Sequence, residues 1–372
     1  MENEKKKIVL NLKYFDYSLL FFLIVLLGVG LVMLYSTSAY RATLSFGYGT
    51  YYLKRQLISS ALGFFALFFC ILVDYHLFEK LAWPIYLASV FLCVFVIFGG
   101  RESHGQSRWI DIGGKFSFQP SEIAKVALIL VLAAIIQKYS GALKIEKSVM
   151  KMFIVVFVPT AAVAVNNLST AIIIFAIGFI MLFIASRKSR LFFLVAGFGA
   201  AGLAITMLIP QLAYRFDRIK IWRDPEKYDE GYQTLQGLYA IGSGGLFGKG
   251  LGESIQKMGS VPEAQNDMIF SIICEELGLF GAICIIILYI LLLWRCLFIA
   301  IHARDLFGSY VALGVMIHIS LHVILNIAVV TNTLPNTGVT LPFISYGGSS
   351  IAILIAEVGL VLSVSKGIQP EV

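Results

Sequence analysis

Charge is the scarcest thing in this sequence. Asp, Glu, Lys and Arg make up 14% of its 372 residues and hydrophobic residues 59%, with a mean hydropathy of +0.86. So little polar surface cannot cover a soluble globule, and the chain is expected to be an integral membrane protein. Short alternating strands are missing as well, which excludes a closed transmembrane barrel. The first apolar run, 17–39, is long and has no small-residue cleavage site, so it reads as a retained span, not a signal peptide. Five cysteines (Cys70, Cys93, Cys274, Cys284 and Cys296) lie inside or at the ends of apolar runs without short paired spacing. They point to neither a disulfide framework nor a metal knuckle, and are read as packing residues. No segment recurs at a period of 20–50 residues, which excludes a solenoid.

What is present is hydrocarbon-length helix. Apolar runs fall at 17–39, 57–73, 81–98, 122–137, 152–165, 170–185, 191–209, 268–293, 309–330 and 348–365. They predict an all-α polytopic membrane protein, a single domain over 1–372 with about ten transmembrane helices and a long loop, 210–267, between the seventh and eighth. An even number of spans puts both termini on one side. Lys5, Lys6, Lys7 and Lys13 precede the first span, and Lys138, Lys144, Lys147, Lys151, Arg187, Lys188 and Arg190 occupy short loops on that same side, which the positive-inside rule makes cytoplasmic. The opposite side is also basic, with Arg41, Lys54, Arg55, Arg101, Arg108, Lys115, Arg215, Arg218, Lys220, Arg223, Lys227, Lys249 and Lys257. These are either solvated loop charges meeting headgroups or an outward-facing site for an anionic, lipid-linked ligand. The fifth and sixth runs are joined through Asn166, Asn167, Leu168, Ser169 and Thr170, either as a tight turn between two spans or as an interruption in one.

Chemistry is housed where polar residues gather between these runs. The long loop closes on a single carboxylate, Asp267, ahead of the apolar MIFSII. Asp is a favoured helix cap, so a cap and a catalytic group are both open readings. Residues 242–252 hold six glycines around Lys249, backbone that can turn N–H groups toward phosphate. The stretch is no Walker loop, because Ser243 and Gly250 stand where Gly and Ser or Thr are required, and a flexible loop is the plainer reading. Glu122 and Lys125 follow Pro120 and Ser121 in a well-formed helix start. Their spacing of three puts them on one face, as a structural ion pair or as a charge pair that orients substrate. His318 and His322 lie one turn apart without a third ligand, so no metal site is assigned to them. Around the helix Glu275 stands about 80° from Asp267 and Glu276 on the opposite face, so they read as groups that pack the helix or support the site from behind rather than as a catalytic dyad. Residues 331–350, rich in Pro, Gly and hydroxyls and without charge, are expected to line the same outer site.

At these residues the sequence resembles the SEDS (shape, elongation, division and sporulation) family, which polymerises lipid II into peptidoglycan glycan strands. The resemblance is carried by RQL at 55–57, RWIDIGG at 108–114, FQPSEIAK at 118–125, GSGGLFGKGLG at 242–252, PEAQNDMIF at 262–270, EELG at 275–278 and LPFISYGGSS at 341–350. GYQ at 231–233 after the Asp224-Pro225 step looks more like the FtsW and SpoVE division and sporulation branch than the RodA elongation branch. The resemblance implies a ten-helix fold, Asp267 as the catalytic carboxylate, and substrate contacts from Arg55, Glu122 and Lys125. Lys249 and Ser345, in two of the matching segments, complete the expected substrate contacts.

It further implies the substrate lipid II, an undecaprenyl-pyrophosphate-linked disaccharide pentapeptide. The expected partners are a class B penicillin-binding protein transpeptidase and divisome proteins, with no nucleic acid, at the bacterial cell membrane and its division septum. A divalent cation, Mg2+ or Mn2+, is the one cofactor the chemistry suggests. Where the family usually has Pro-Asp-Leu-Gly-Thr this chain has Asn166 to Thr170, so no acidic role passes to Asn167. Glycosyl transfer from a lipid pyrophosphate needs a base for the acceptor hydroxyl and cations for the departing pyrophosphate. A flippase for the same lipid and a non-catalytic scaffold for the transpeptidase are the competing classes. A flippase should spread ionisable groups through the membrane midplane, whereas here they are expected to cluster in the outer half.

Overall fold

The computed structural model describes residues 15–103, 106–112, 116–186, 189–206 and 214–368. Lys5, Lys6, Lys7, Lys13, Gly113, Gly114, Lys115, Arg187, Lys188 and the first residues of the long loop, 210–213, lie outside them. The helices run in the order α1 (Tyr17–Phe46), α2 (Tyr51–Leu72), α3 (His76–Gly99), α4 (Pro120–Lys138), α5 (Glu146–Ala164), α6 (Leu168–Ala185) and α7 (Ser189–Thr206). Two short helices in the long loop, α8 (Tyr214–Arg223) and α9 (Tyr232–Gly244), precede α10 (Ile269–His302), α11 (Leu306–Val330) and α12 (Gly348–Ser365). Among the described residues nine helices are long and apolar enough to cross a membrane. The expected run at 191–209 falls on α7, whose continuation at 207–209 lies outside the described residues.

Enclosure is unequal among the spans. In α4, α11 and α12 respectively 78%, 56% and 67% of the apolar window is buried inside the protein, against 28–39% in the other six. These three helices form the centre, and the rest turn most of their surface outward, as spans facing lipid do. Close approach depends on small residues where α2 meets α12. Gly63 lies against Ala352 and Ile355, and Gly359 against the Leu67 backbone, so any side chain there would push the two helices apart.

The junction between the fifth and sixth runs is a turn between two helices. Asn167 caps α6 by accepting from the Thr170 N–H at 3.1 Å, and Phe153 and Phe157 of α5 pair with Phe179 and Phe175 of α6. At one face of the bundle the Asp16 N–H donates to Ser365 Oγ at 3.4 Å and Arg295 pairs with the Asp16 carboxylate at 2.7 Å. The start of α1 and the ends of α10 and α12 therefore meet.

Short strands, absent from the sequence-based expectation, do form. β1 (Arg101–Ser103), β2 (Gln106–Ile112) and β3 (Phe116–Phe118) make an antiparallel sheet with Arg101 opposite Trp109 and Ile110 opposite Phe118. The sheet fills the connection from α3 to α4 and delivers the chain to Pro120 at the start of α4.

Candidate active site

Asp267 sits where the long loop meets α10, at the opposite end of α10 from Arg295. Met268 occupies the N-cap position of α10 and no side chain caps that helix, so the capping reading of Asp267 has no hydrogen bond behind it. Its side chain is 9% exposed and faces amides. Gln233 Nε2, from α9, donates to Asp267 Oδ1 at 3.4 Å, and Asn336 Nδ2 donates to Gln233 Oε1 at 3.3 Å. The Asn336 carbonyl in turn accepts from Arg218 of α8 at 3.3 Å, which brings a cation to the same cluster. The Asp267 backbone carbonyl accepts from Asn326 Nδ2 at 2.7 Å. Burial pushes the Asp267 carboxyl up to about 6; its own backbone N–H opposes the rise, the negative charge of Glu263 adds to it, and the Gln233 bond opposes it. A carboxylate poised near neutrality, with no ion-pair partner among the described residues, has the properties of a general base.

The glycine-rich stretch completes a break in α10. Gly278 has φ 69° and ψ −170°, a non-helical conformation that interrupts the helix and that a residue with a Cβ rarely adopts. The backbone groups freed by the break are taken up by the loop. Lys249 N and Gly250 N donate to the carbonyls of Glu275 and Glu276 at 2.9 and 3.0 Å, and Leu279 N and Phe280 N donate to those of Gly245 and Leu246 at 2.9 and 3.0 Å. Gly248 lies directly against this backbone with no room for a methyl group. The carboxylates beside the break are fully buried and paired: Lys249 Nζ reaches Glu275 Oε1 at 2.7 Å, and Lys257 Nζ reaches Glu276 Oε1 at 2.7 Å. Ser254 also bonds Glu275, and Ser36 of α1 bonds Glu276. Glu275 and Glu276 thus hold the loop and α1 to the broken helix as ion-paired carboxylates. The Lys249 ammonium, expected at substrate, is engaged by Glu275.

The second cluster lies on the three central helices. Lys125 Nζ is 2.8 Å from Glu122 Oε1 and 3.0 Å from His322 Nε2, and Ser350 Oγ donates to Glu122 Oε2 at 2.8 Å. Glu122 is 6% exposed and Lys125 wholly buried, so the pair predicted from spacing exists inside the bundle. One turn deeper, His318 Nδ1 lies 2.8 Å from Glu357 of α12. Both are fully buried near the middle of their helices. Ionisable groups therefore extend to mid-span, which corrects the expectation of an outer-half cluster.

Arg55 lies over the Tyr51 ring at 4.8 Å, and its charge acts on the Tyr346 hydroxyl. The Tyr346 N–H donates to the Gln265 carbonyl at 2.9 Å, two residues before Asp267, so Arg55 joins the edge of the same site. Ser345 is inward-facing: its Oγ accepts from the Leu341 N–H at 2.9 Å and its carbonyl accepts from Gln56 Nε2 at 3.0 Å. Ser350, five residues on, is the hydroxyl that reaches Glu122. The structure thus places Asp267 and Arg55 on one outer segment and Glu122 with Lys125 beneath it, while Lys249 and Ser345 hold backbone turns. Gln233, Asn326, Asn336, Arg218 and His322 were not predicted as site residues. Gln233 stands in the GYQ segment, and Asn326 extends the His318, His322 stripe by another turn, which are the signals that could have found them.

Among the described residues no three His, Cys, Asp or Glu side chains gather closely enough to hold a metal ion.

Fold and site together define a polytopic α-helical membrane protein with a buried, base-like carboxylate at the mouth of a span. The chain belongs to the FtsW/RodA/SpoVE family of cell cycle proteins, whose match covers residues 17–369. It is 39% identical over 358 residues to the probable peptidoglycan glycosyltransferase FtsW of Geobacter sp. (strain M18), covering 94% of this chain and 96% of that protein. It is 37% identical to stage V sporulation protein E of Bacillus subtilis (strain 168), covering 94% and 97%. Two solved structures share the fold at 26% identity. One, from work on the structural coordination of polymerization and crosslinking by a peptidoglycan synthase complex, has a TM-score of 0.79 and covers 96% of this chain and 99% of that one. The other, the rod shape determining protein RodA of Thermus thermophilus, has a TM-score of 0.69 and covers 96% and 98%. The FtsW and SpoVE relatives agree with the branch read from GYQ.

Proposed function

We propose that this protein is a peptidoglycan glycosyltransferase that polymerises lipid II at the outer face of the bacterial membrane, with Asp267 as its general base. The observation that carries the reading is the environment of Asp267: nearly buried, held by an amide, with a carboxyl raised to about 6. In the reaction the acceptor sugar hydroxyl gives its proton to the Asp267 carboxylate as its oxygen attacks the anomeric carbon of the donor. The bond from that carbon to the pyrophosphate oxygen breaks with its electron pair, and undecaprenyl pyrophosphate leaves. Attack opposite the leaving group inverts the centre and needs one base. Arg218, bonded to the Asn336 carbonyl, and Arg55, whose charge acts on Tyr346, are the cations that would meet negative charge on the departing group.

The site lies outside and both termini lie in the cytoplasm, a reading supported by the meeting of Asp16 with Ser365 at the end of the bundle remote from Asp267. A cysteine near Lys227 should react with an impermeant reagent from outside, and one near Lys147 should not; the reverse pattern would place the site inside. Work at the division septum with divisome proteins and a class B transpeptidase follows from the FtsW and SpoVE likeness. One observation favours a second reading: the mid-span pair His318 and Glu357 is the kind of buried ionisable group a lipid II flippase would use. Purified protein in vesicles, with and without its transpeptidase, separates the two. Glycan strands from lipid II support the polymerase, whereas transfer of lipid II across the bilayer without glycan supports the flippase.

A further inference from the structure

Helix α11 touches both halves of the site from one face. His318, His322 and Asn326 recur at intervals of four, which stacks them along that face, and all three are buried. An ammonium offers only donors, so the His322 Nε2 that lies 3.0 Å from Lys125 Nζ accepts, and the imidazole is neutral with its proton on Nδ1. That Nδ1 faces the Thr340 carbonyl at 3.4 Å. One turn along, Asn326 Nδ2 donates to the Val339 carbonyl at 2.8 Å and to the Asp267 carbonyl at 2.7 Å. Val339 and Thr340 are consecutive. A short path therefore runs from the Glu122–Lys125 pair through His322, the 339–340 backbone and Asn326 to the residue whose carboxylate is the base.

Among the described residues the Lys125 ammonium hydrogen-bonds Glu122 and His322. Glu122 lies on the same helix and, through Ser350, fixes the ammonium relative to α4 and α12. His322 fixes it relative to α11 and to the segment beside Asp267. We propose that His322 is a positioning residue for the polymerase reaction, one that registers the Lys125 ammonium against Asp267 through Thr340 and Asn326. The proposal rests on the reading of Asp267 as the base. It differs from a packing role because a neutral side chain with one acceptor and one donor at the same reach should serve, and an apolar one of similar volume should not.

The test uses the full-length protein in nanodiscs with purified lipid II, and compares His322→Leu, His322→Gln and Asp267→Asn by initial rates over a range of lipid II concentrations and by thermal unfolding. Misplacement of a reacting group by about an ångström costs up to about a hundredfold in rate. His322→Leu is expected to lower kcat by about 10- to 100-fold with KM changed by less than about threefold. His322→Gln, whose amide can accept from Lys125 and donate to Thr340, is expected to recover kcat to within about threefold of wild type.

Equal kcat in His322→Leu and wild type, or Gln and Leu variants equally impaired, would overturn the proposal. If Asp267→Asn polymerises normally, it is the assignment of the base that fails. If Asp267→Asn is inactive and His322→Leu is unimpaired, only the positioning role fails. Should His322→Leu not fold, His322→Asn, too short to reach both partners, takes its place in the comparison with Gln. If neither folds, His322 is a structural residue and the proposal is wrong.

Discussion

Lys249 Nζ stands 2.7 Å from Glu275 Oε1, and this contact ties the glycine-rich loop to the break in α10. The carboxylate is wholly buried while the lysine side chain is 30% exposed. Removing the cation leaves Glu275 with Ser254 and the Ile255 N–H as partners. Lys249→Met should therefore destabilise the protein by roughly 1–3 kcal/mol, the range for a lost bond to a buried charge, less than the loss of a fully buried pair. Adding Glu275→Gln should return much of that loss. Thermal unfolding of the two single variants and the double variant measures the coupling, and strictly additive effects would show that the pair does not act as a unit.

Much of this architecture was legible in the sequence because hydrocarbon length and charge scarcity constrain a membrane span strongly. The run at 348–365 coincides with α12, and the Glu122 and Lys125 spacing gave the ion pair that α4 presents. The three strands between α3 and α4 were missed because seven residues or fewer in each carry too weak an alternation. The role of the glycines was missed for a different reason. A backbone that hydrogen-bonds into a broken helix leaves the same composition as a flexible or anion-binding loop, and only the carbonyls of Glu275 and Glu276 distinguish them. Asn326 and His322 stand with His318 on one stripe of an apolar run, and the stripe does not say which groups on other elements it meets. Their meaning comes from Asp267 and Lys125, which are 59 and 197 residues away.

Glu122 and Lys125 are nearly or fully buried, so breaking the pair is costly. Lys125→Met should destabilise by roughly 3–5 kcal/mol because a carboxylate is stranded in the membrane, whereas the Lys125→Met, Glu122→Gln double variant should lose less than the sum of the two. Both singles and the double should be inactive, since either change removes the charge that the site presents. A double-mutant cycle on unfolding decides it, and a coupling energy near zero would dismiss the pair.

The raised carboxyl of Asp267 links activity and stability with opposite signs. A base must be ionised, so kcat/KM should rise with pH through about 6 and level off above it. For stability the folded state holds the proton more tightly than the unfolded chain, whose ordinary value is 3.8. Folding is thus favoured by this group below about 4, and that contribution is lost as pH rises from there through about 6. Asp267→Asn should consequently be more stable than wild type at pH 7.5, by at most about 3 kcal/mol, and unfold at a higher temperature. An Asn variant less stable than wild type at that pH would show that the carboxylate is a structural anion.

The most direct measurement is glycan formation by purified Asp267→Asn from lipid II, beside wild type and with the cognate transpeptidase present. The amide keeps the size of the side chain and its bond to Gln233 but cannot accept the acceptor's proton, and loss of a general base costs about 10²–10⁴ in rate. The expected result is a folded, membrane-embedded variant that binds lipid II and makes glycan at least about a hundredfold more slowly. Polymerisation at a rate near wild type would contradict the assignment of Asp267 and return the flippase and scaffold readings to the front.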